Sequence, residues 1–303
     1  GGTFIYDSSE VAGSNDGTNF DGWIRQYSGA VNIKWFGAVG DGLVDDTDAI
    51  QAAIDFCESN NTNREIFFQG IFKVSSTINI FNKSINIKGE NQYSTIIRYE
   101  GADNTYLFHF TGVGSSNGLN HIQDIRLSGS GTNNGIKSQG NLSSLNLIIE
   151  NFSTCLYWED LPPSFGACYY KLYNTTFMSA DIAIDNLYGN NFLASGCRFS
   201  NLVKGINISA GTGDTVISGC SIEGITDYFI SHTDGSSCAV AIENCYIEAV
   251  RIIIIMTKGD LTFSNNNIQT LGMYRGVYMT GNDPSYPLCL FASGNKWLIQ
   301  QNL

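Results

Sequence analysis

Long apolar runs are missing from this chain. Stretches such as Ile252 to Met256 fall far short of the roughly 20 consecutive residues that a membrane-crossing helix needs, and the first residues contain neither a basic segment nor a signal-like apolar core. Membrane insertion is therefore not expected. Basic residues are also few: 16 Lys and Arg stand against 28 Asp and Glu, and a net charge of −12 speaks against nucleic acid binding by phosphate neutralisation. The histidines His109, His121 and His232 are scattered, and no CxxC, HExxH or paired-histidine spacing occurs, so no metal or other cofactor is expected. With only 4 prolines, bends must come from elsewhere, and 33 glycines and abundant asparagine supply them.

What the chain does have is a repeat. A four-residue phrase recurs as Asn174-Thr-Thr-Phe177, Gly196-Cys-Arg-Phe199, Gly219-Cys-Ser-Ile222, Asn244-Cys-Tyr-Ile247, Asn265-Asn-Asn-Ile268 and Gly294-Asn-Lys-Trp297, with steps of 22, 23, 25, 21 and 29 residues between the closing apolar positions. Periods of this length mean stacked repeats. Within each repeat Cys220 and Ile222 alternate with Ser221 and Glu223, the period of two expected for a half-buried strand. A second apolar stretch follows at Ile184, Ile206, Phe229, Ile254 and Val277. Short strands joined by bends at this period predict an all-β fold, a right-handed single-stranded parallel β-helix. Leucine-rich repeats are the rival, but their Leu-x-x-Leu-x-Leu spacing is absent. Of the 8 cysteines, Cys197, Cys220 and Cys245 hold equivalent places that Asn266 and Asn295 take over later, which reads as an inward ladder of free thiols rather than a disulfide or zinc site.

Three regions are expected. Residues 1–30, rich in Gly, Ser, Asn and Asp, form a leader or neck; residues 31–60 run from strand through glycine turn to helix; residues 61–303 form the β-helix, with its C-terminal end either whole or truncated. In the middle region Asp46 or Thr47 is placed to cap the helix, and Ala49, Ile50, Ala53, Ile54 and Cys57 form one apolar face. This helix is suited to close the open end of the solenoid, whose first strands would otherwise be exposed. The acids Asp41, Asp45, Asp46 and Asp48 lack the spacing of a calcium loop. The sequence begins with Gly1 rather than Met, as expected for a fragment of a longer chain.

The stretch Trp35-Phe-Gly-Ala-Val-Gly-Asp-Gly, with Asp45-Asp46-Thr47 and Ala49-Ile-Gln-Ala-Ala-Ile54, resembles the opening signature of the pectate-lyase-3, glycoside-hydrolase-28-like β-helix superfamily. Gly1-Gly-Thr-Phe-Ile-Tyr-Asp7 and Asp21-Gly-Trp23 resemble the variant that precedes it in bacteriophage tailspike depolymerases of bacterial capsule and O-antigen. The resemblance implies a homotrimer in the virion, made in the host cytoplasm and joined to the phage tail or baseplate through a missing N-terminal region. Its partner would be bacterial capsular polysaccharide or O-antigen. The Asn-Thr-Asp, Gly-His-Gly and Arg-Ile-Lys motifs of the polygalacturonase branch are missing, which argues against pectin hydrolysis.

A β-helix stacks equivalent outward residues about 4.8 Å apart. The period then predicts two outward columns, Thr176, Arg198, Ser221, Tyr246, Asn267, Lys296 and Met178, Ser200, Glu223, Glu248, Gln269, Leu298. Stacked Glu223 and Glu248 repel, so one should keep its proton to higher pH, the asymmetry a glycosidase acid and its partner require. A spacing of about 5 Å is that of retaining enzymes. These two are the leading catalytic candidates, with Asp227 next. Asp181 with Asp185, and Glu150, Glu159 and Asp160 beside the excursion at 161–166, are further carboxylates. Arg198, Tyr246, Gln269 and Trp158 are the candidates for binding substrate: Arg198 to hold an acidic sugar or to keep a carboxylate ionised, and the aromatics, with Tyr157, Tyr188, Tyr274 and Tyr278, to stack on sugar rings. Each of these residues also has a structural reading as an ordinary solvated position or, for the aromatics, as core. The reaction expected is endo-glycosidic hydrolysis; β-elimination by a polysaccharide lyase and non-catalytic glycan binding are the alternatives.

Overall fold

The computed structural model describes residues 2–10, 17–59, 64–81, 84–111, 119–158, 169–187, 191–209, 213–233, 239–271, 275–279 and 288–300. Glu159, Asp160, the 161–166 excursion, Tyr188 and Tyr274 lie outside them. The fold is a right-handed parallel β-helix. In its second half each turn consists of a short strand, a bend and a long strand: Tyr169–Tyr173 then Thr176–Leu187, Asn191–Ser195 then Arg198–Ile208, Asp214–Ser218 then Ser221–His232, Ala239–Glu243 then Tyr246–Met256. Every strand pairs in parallel with its counterpart one turn on. Inward residues such as Phe177, Phe199, Ile222, Ile247 and Ile268 stack into one continuous core.

The first residue of the repeated phrase has a backbone reason. Asp124, Asn146, Asn174, Gly196, Gly219, Asn244, Asn265 and Gly294 all adopt left-handed φ, from 46° to 65°, a conformation that Gly, Asn and Asp reach at least cost. The asparagines also bridge turns: Asn174 Nδ2 donates to Asn146 Oδ1 at 2.7 Å, and Asn146 Nδ2 to Asp124 Oδ1 at 2.8 Å.

The second residue of the phrase has a hydrogen-bonding reason. Cys197 Sγ donates to Leu172 O (3.4 Å), Cys220 Sγ to Ala194 O (3.5 Å), Cys245 Sγ to Ile217 O (3.6 Å), Asn266 Nδ2 to Ile242 O (2.9 Å) and Asn295 Nδ2 to Phe263 O (2.7 Å). These carbonyls belong to equivalent residues of successive turns. Cysteine and asparagine interchange because each is a short side chain that donates to the carbonyl one turn below. The three thiols are buried and free.

In the long strands, a second left-handed column follows the outward residues, at Asn151, Ser179, Asn201, Gly224 and Ala249 (φ 52° to 65°). It turns the chain into the third face, where Ile184, Ile206, Ile230, Ile254 and Val277 align inward. The expected member at this level was Phe229. Strand Ser221–His232 carries a bulge between Ile225 and Tyr228, and this extra residue shifts the register by one.

At the other end, helix Thr47–Ser59 buries Ile50, Ala53, Ile54 and Cys57. It also takes the place of a missing strand: Gln51 Nε2 donates to Asn79 O (2.9 Å), Asn79 N donates to Gln51 Oε1 (2.8 Å), and Phe81 N donates to Glu58 Oε1. An edge of Ile78–Phe81 is thus satisfied by side chains. Capping differs from expectation. Asp45 Oδ1 accepts from Thr47 N (3.0 Å), whereas the Asp46 carboxylate turns back to accept from Val39 N (2.6 Å) and Gly40 N (3.2 Å) of the glycine turn. The leader strands Thr3–Tyr6, Asn19–Phe20 and Trp23–Gln26 form a separate antiparallel sheet. Arg25 joins it to the helix region, its guanidinium lying 4.8 Å from the Phe4 ring centre and 4.7 Å from that of Trp35.

Candidate active site

The outward positions just before the second left-handed bend are only three residues long per turn, so i and i+2 side chains share a surface with their neighbours above and below. The register places Arg198, Ser221, Tyr246, Asn267 and Lys296 in one column and Ser200, Glu223, Glu248, Gln269 and Leu298 in the other. Glu223 and Glu248 are direct partners on adjacent turns.

Each glutamate has its own clamp. Arg198 Nη2 lies 2.9 Å from Glu223 Oε2, reaching diagonally across one turn, and Ser221 Oγ donates to Glu223 Oε1. The Ser221 hydroxyl and, behind it, the Arg198 guanidinium hold the Glu223 carboxyl below its ordinary range, against the opposing effect of partial burial. On the next turn Tyr246 Oη donates to Glu248 Oε2 at 2.7 Å. That bond, partial burial and the charges of Glu248 and Glu223 push the tyrosine hydroxyl above its usual value. Of the two stacked acids Glu223 is the one that goes down, because its two donors outweigh its partial burial.

The remaining candidates fall in different places. Gln269 stacks directly on Glu248 and is half-buried. Asp227 lies beyond the bend, in the bulge of Ser221–His232, with Arg251 Nη1 4.0 Å from its Oδ1. Trp158 has to be corrected: it is fully buried, packed on Tyr170 at a ring distance of 4.0 Å and on Phe192 at 6.2 Å. Leu156 aligns with inward Ile184, and a residue two positions on faces the same way, so Trp158 is core and cannot stack on substrate from there. Asp181 and Asp185 do not form a pair, since four residues of strand separate them by about 13 Å; Asp185 Oδ1 accepts from Asn207 Nδ2 at 2.9 Å. Glu150 is 3.6 Å from Arg126 Nη1. Ser221, a member of the first column, is the hydrogen-bond partner of Glu223 that the candidate residues omit, although the i, i+2 spacing carries that signal. Among the described residues no group of His, Cys, Asp and Glu is arranged to hold a metal ion, and no helix is long and apolar enough to cross a membrane.

Residues 30–278 match the family model described as rhamnogalacturonase A/epimerase, pectate lyase-like. The chain belongs to this family. Solved structures that resemble this family member include tailspike protein 2 of bacteriophage CBA120 (TM-score 0.72, 13% identity, covering 98% of the chain and 48% of that protein). A glycan biofilm modifying enzyme of Pantoea stewartii with a tailspike-like parallel β-helix matches with TM-score 0.62 at 14% identity over 91% of the chain and 43% of that protein. The tailspike protein of Acinetobacter phage vB_ApiP_P1 matches with TM-score 0.55 at 16% identity over 98% of the chain and 64% of that protein. The chain therefore spans about half the length of these relatives, and at such identities the likeness is one of fold. A search of curated proteins finds no match.

Proposed function

We propose that this family member is the glycan-processing part of a phage tailspike, which binds bacterial capsular polysaccharide or O-antigen and depolymerises it by endo-glycosidic hydrolysis at Glu223 and Glu248. The reading is carried by one observation: two outward glutamates on adjacent turns, one held ionised by Ser221 and Arg198, the other hydrogen-bonded by Tyr246. The tailspike and glycan-modifying relatives support the substrate class.

In this mechanism Glu223, kept anionic, attacks the anomeric carbon. Glu248 presents Oε1 to the glycosidic oxygen and delivers the proton that lets it leave, while Tyr246 fixes Oε2. Glu248 then takes a proton from water, which opens the glycosyl ester on Glu223; the net change is one water added. Glu223 and Glu248 extend from partner positions on turns whose backbones lie about 4.8 Å apart, a base from which paired carboxyls can serve a retaining course. Arg198, committed to Glu223, is not available to a uronate, which favours a neutral or weakly acidic glycan. The Tyr246 hydroxyl, donating to Glu248, is not free to take a proton in β-elimination. Within this reading residues 1–30 serve as neck, 31–60 as cap and 61–303 as the glycan-binding solenoid, in a homotrimer carried on the virion.

Mass spectrometry of products from a panel of purified capsules and O-antigens tests the reaction. Oligosaccharide repeats carrying one added water support it. Unsaturated ends, lighter by that water, would replace it with a lyase, and binding without chain shortening with a receptor-binding spike.

A further inference from the structure

Beyond the second bend lies a groove of about 400 Å³, within the size range of ligand sites. It crosses successive turns, lined by left-handed Ser179, Asn201 and Gly224 and by Asp181, Val203 and Thr226, with buried Phe152, Ala180 and Leu202 beneath. Asp181 and Val203 stack in register, bracketed by Ala180↔Leu202 and Ile182↔Lys204. Thr226 follows in the bulge, where two residues stand opposite one on each neighbouring turn. Bulges re-aim side chains, and here the bulge turns Thr226 outward at the end of the groove.

The lining has a distinct chemistry. Val203 is 40% exposed at an outward position between polar neighbours, offering an apolar platform of the kind that the C–H face of a pyranose covers. Around it stand the Ser179 and Thr226 hydroxyls, the Asn201 amide and the Asp181 carboxylate. Asp181 Oδ2 accepts from Ser153 Oγ at 3.2 Å, which orients the carboxylate so that Oδ1 can accept sugar hydroxyls. Among the described residues lining the groove there is no lysine or arginine, so the carboxylate repels a uronate. Gly224 in the lining directly follows Glu223 in the chain, which places the groove one residue from the glutamate pair.

We infer that this groove is a subsite for a neutral pyranose, a hexose or N-acetylhexosamine, next to the bond to be cleaved. The inference rests on the glycan-processing reading above, and it adds the part of the site that selects neutral sugars. Saturation-transfer NMR on the full chain tests it, with methyl β-galactopyranoside, methyl N-acetyl-β-glucosaminide and sodium methyl-galacturonide as probes. Saturation should reach one or both neutral glycosides and not the uronide. Two surface variants, Val203→Ser, which removes the apolar platform, and Asp181→Ala, should each weaken neutral binding by about tenfold or more, with melting curves like the parent's. No transfer to either neutral glycoside, equal transfer to the uronide, or binding indifferent to both variants overturns the groove, whatever the cleavage assay shows. Groove binding that both variants abolish, in a protein that shortens no polysaccharide, would keep the subsite and reject the hydrolase.

Discussion

Arg198 and Glu223 meet across one turn of the solenoid, Nη2 to Oε2 at 2.9 Å, although 25 residues separate them in sequence. The pair is diagonal: Arg198 stands in the column of Ser221 and Tyr246, and Glu223 in that of Glu248. The Ser221 hydroxyl on its own turn and, after it, the cation of the turn before hold the Glu223 carboxyl below its ordinary range.

The pH dependence follows from that arrangement. Glu223 sits below its ordinary 4.5, so its clamp stabilises the fold fully above pH 4.5 and loses that contribution as pH falls through the lowered value. Ser221→Ala and Arg198→Ala should each move the acid limb of activity to higher pH, Ser221→Ala at least as far. Because both partners of the ion pair are partly exposed, Arg198→Ala should cost no more than about 1 kcal/mol of stability. A pH–rate profile with a parallel urea titration reads both.

Glycines of two kinds should respond differently to alanine. At Gly196 (φ 63°) a Cβ would meet nothing within 4 Å, so Gly196→Ala should cost only the left-handed penalty of about 1 kcal/mol. At Gly205 a Cβ would lie 2.3 Å from Phe229 O and 2.5 Å from the Phe229 ring. Gly205→Ala should cost about 3 kcal/mol, since neighbouring backbone must move. Chemical denaturation of the two variants gives the comparison.

The stacked thiols should be inert in the folded protein. The hydrogen bond with Cys197, together with burial, pushes the Cys220 thiol up to about 12, and the Cys245 thiol is also raised, whereas the same bond to Cys220 lowers Cys197, which burial alone shields from reagent. Alkylation mapped by mass spectrometry should leave Cys197, Cys220 and Cys245 unmodified at neutral pH until the protein unfolds. Cys220→Ala should destabilise by about 1–2 kcal/mol, because Ala194 O loses its thiol donor and a small void opens.

The solenoid is legible in the sequence because two constraints repeat from turn to turn: a left-handed residue, met by Asn or Gly, and an inward hydrogen-bonding residue, met by Thr at 175 and then by Cys or Asn. Both outward columns follow from their spacing. Features without a repeat were harder to read. The bulge at Thr226 and Asp227 adds one residue to a single strand, and this put Phe229 where Ile230 belongs. Trp158 precedes the 161–166 excursion, beyond the reach of the phrase, and only pairing of Leu156 with Ile184 shows which way it faces. The lowered Glu223 depends on the rotamers of Ser221 and Arg198, which column position alone does not fix. The groove arises from a corner between faces and leaves no signature in spacing.

The most direct test of the account is polysaccharide cleavage by Glu223→Gln and Glu248→Gln, each checked by thermal melting, on a capsule or O-antigen that the parent protein shortens. The account predicts two folded proteins whose turnover falls about 100-fold or more. Full turnover in both would contradict it and remove the stacked glutamates from the reaction.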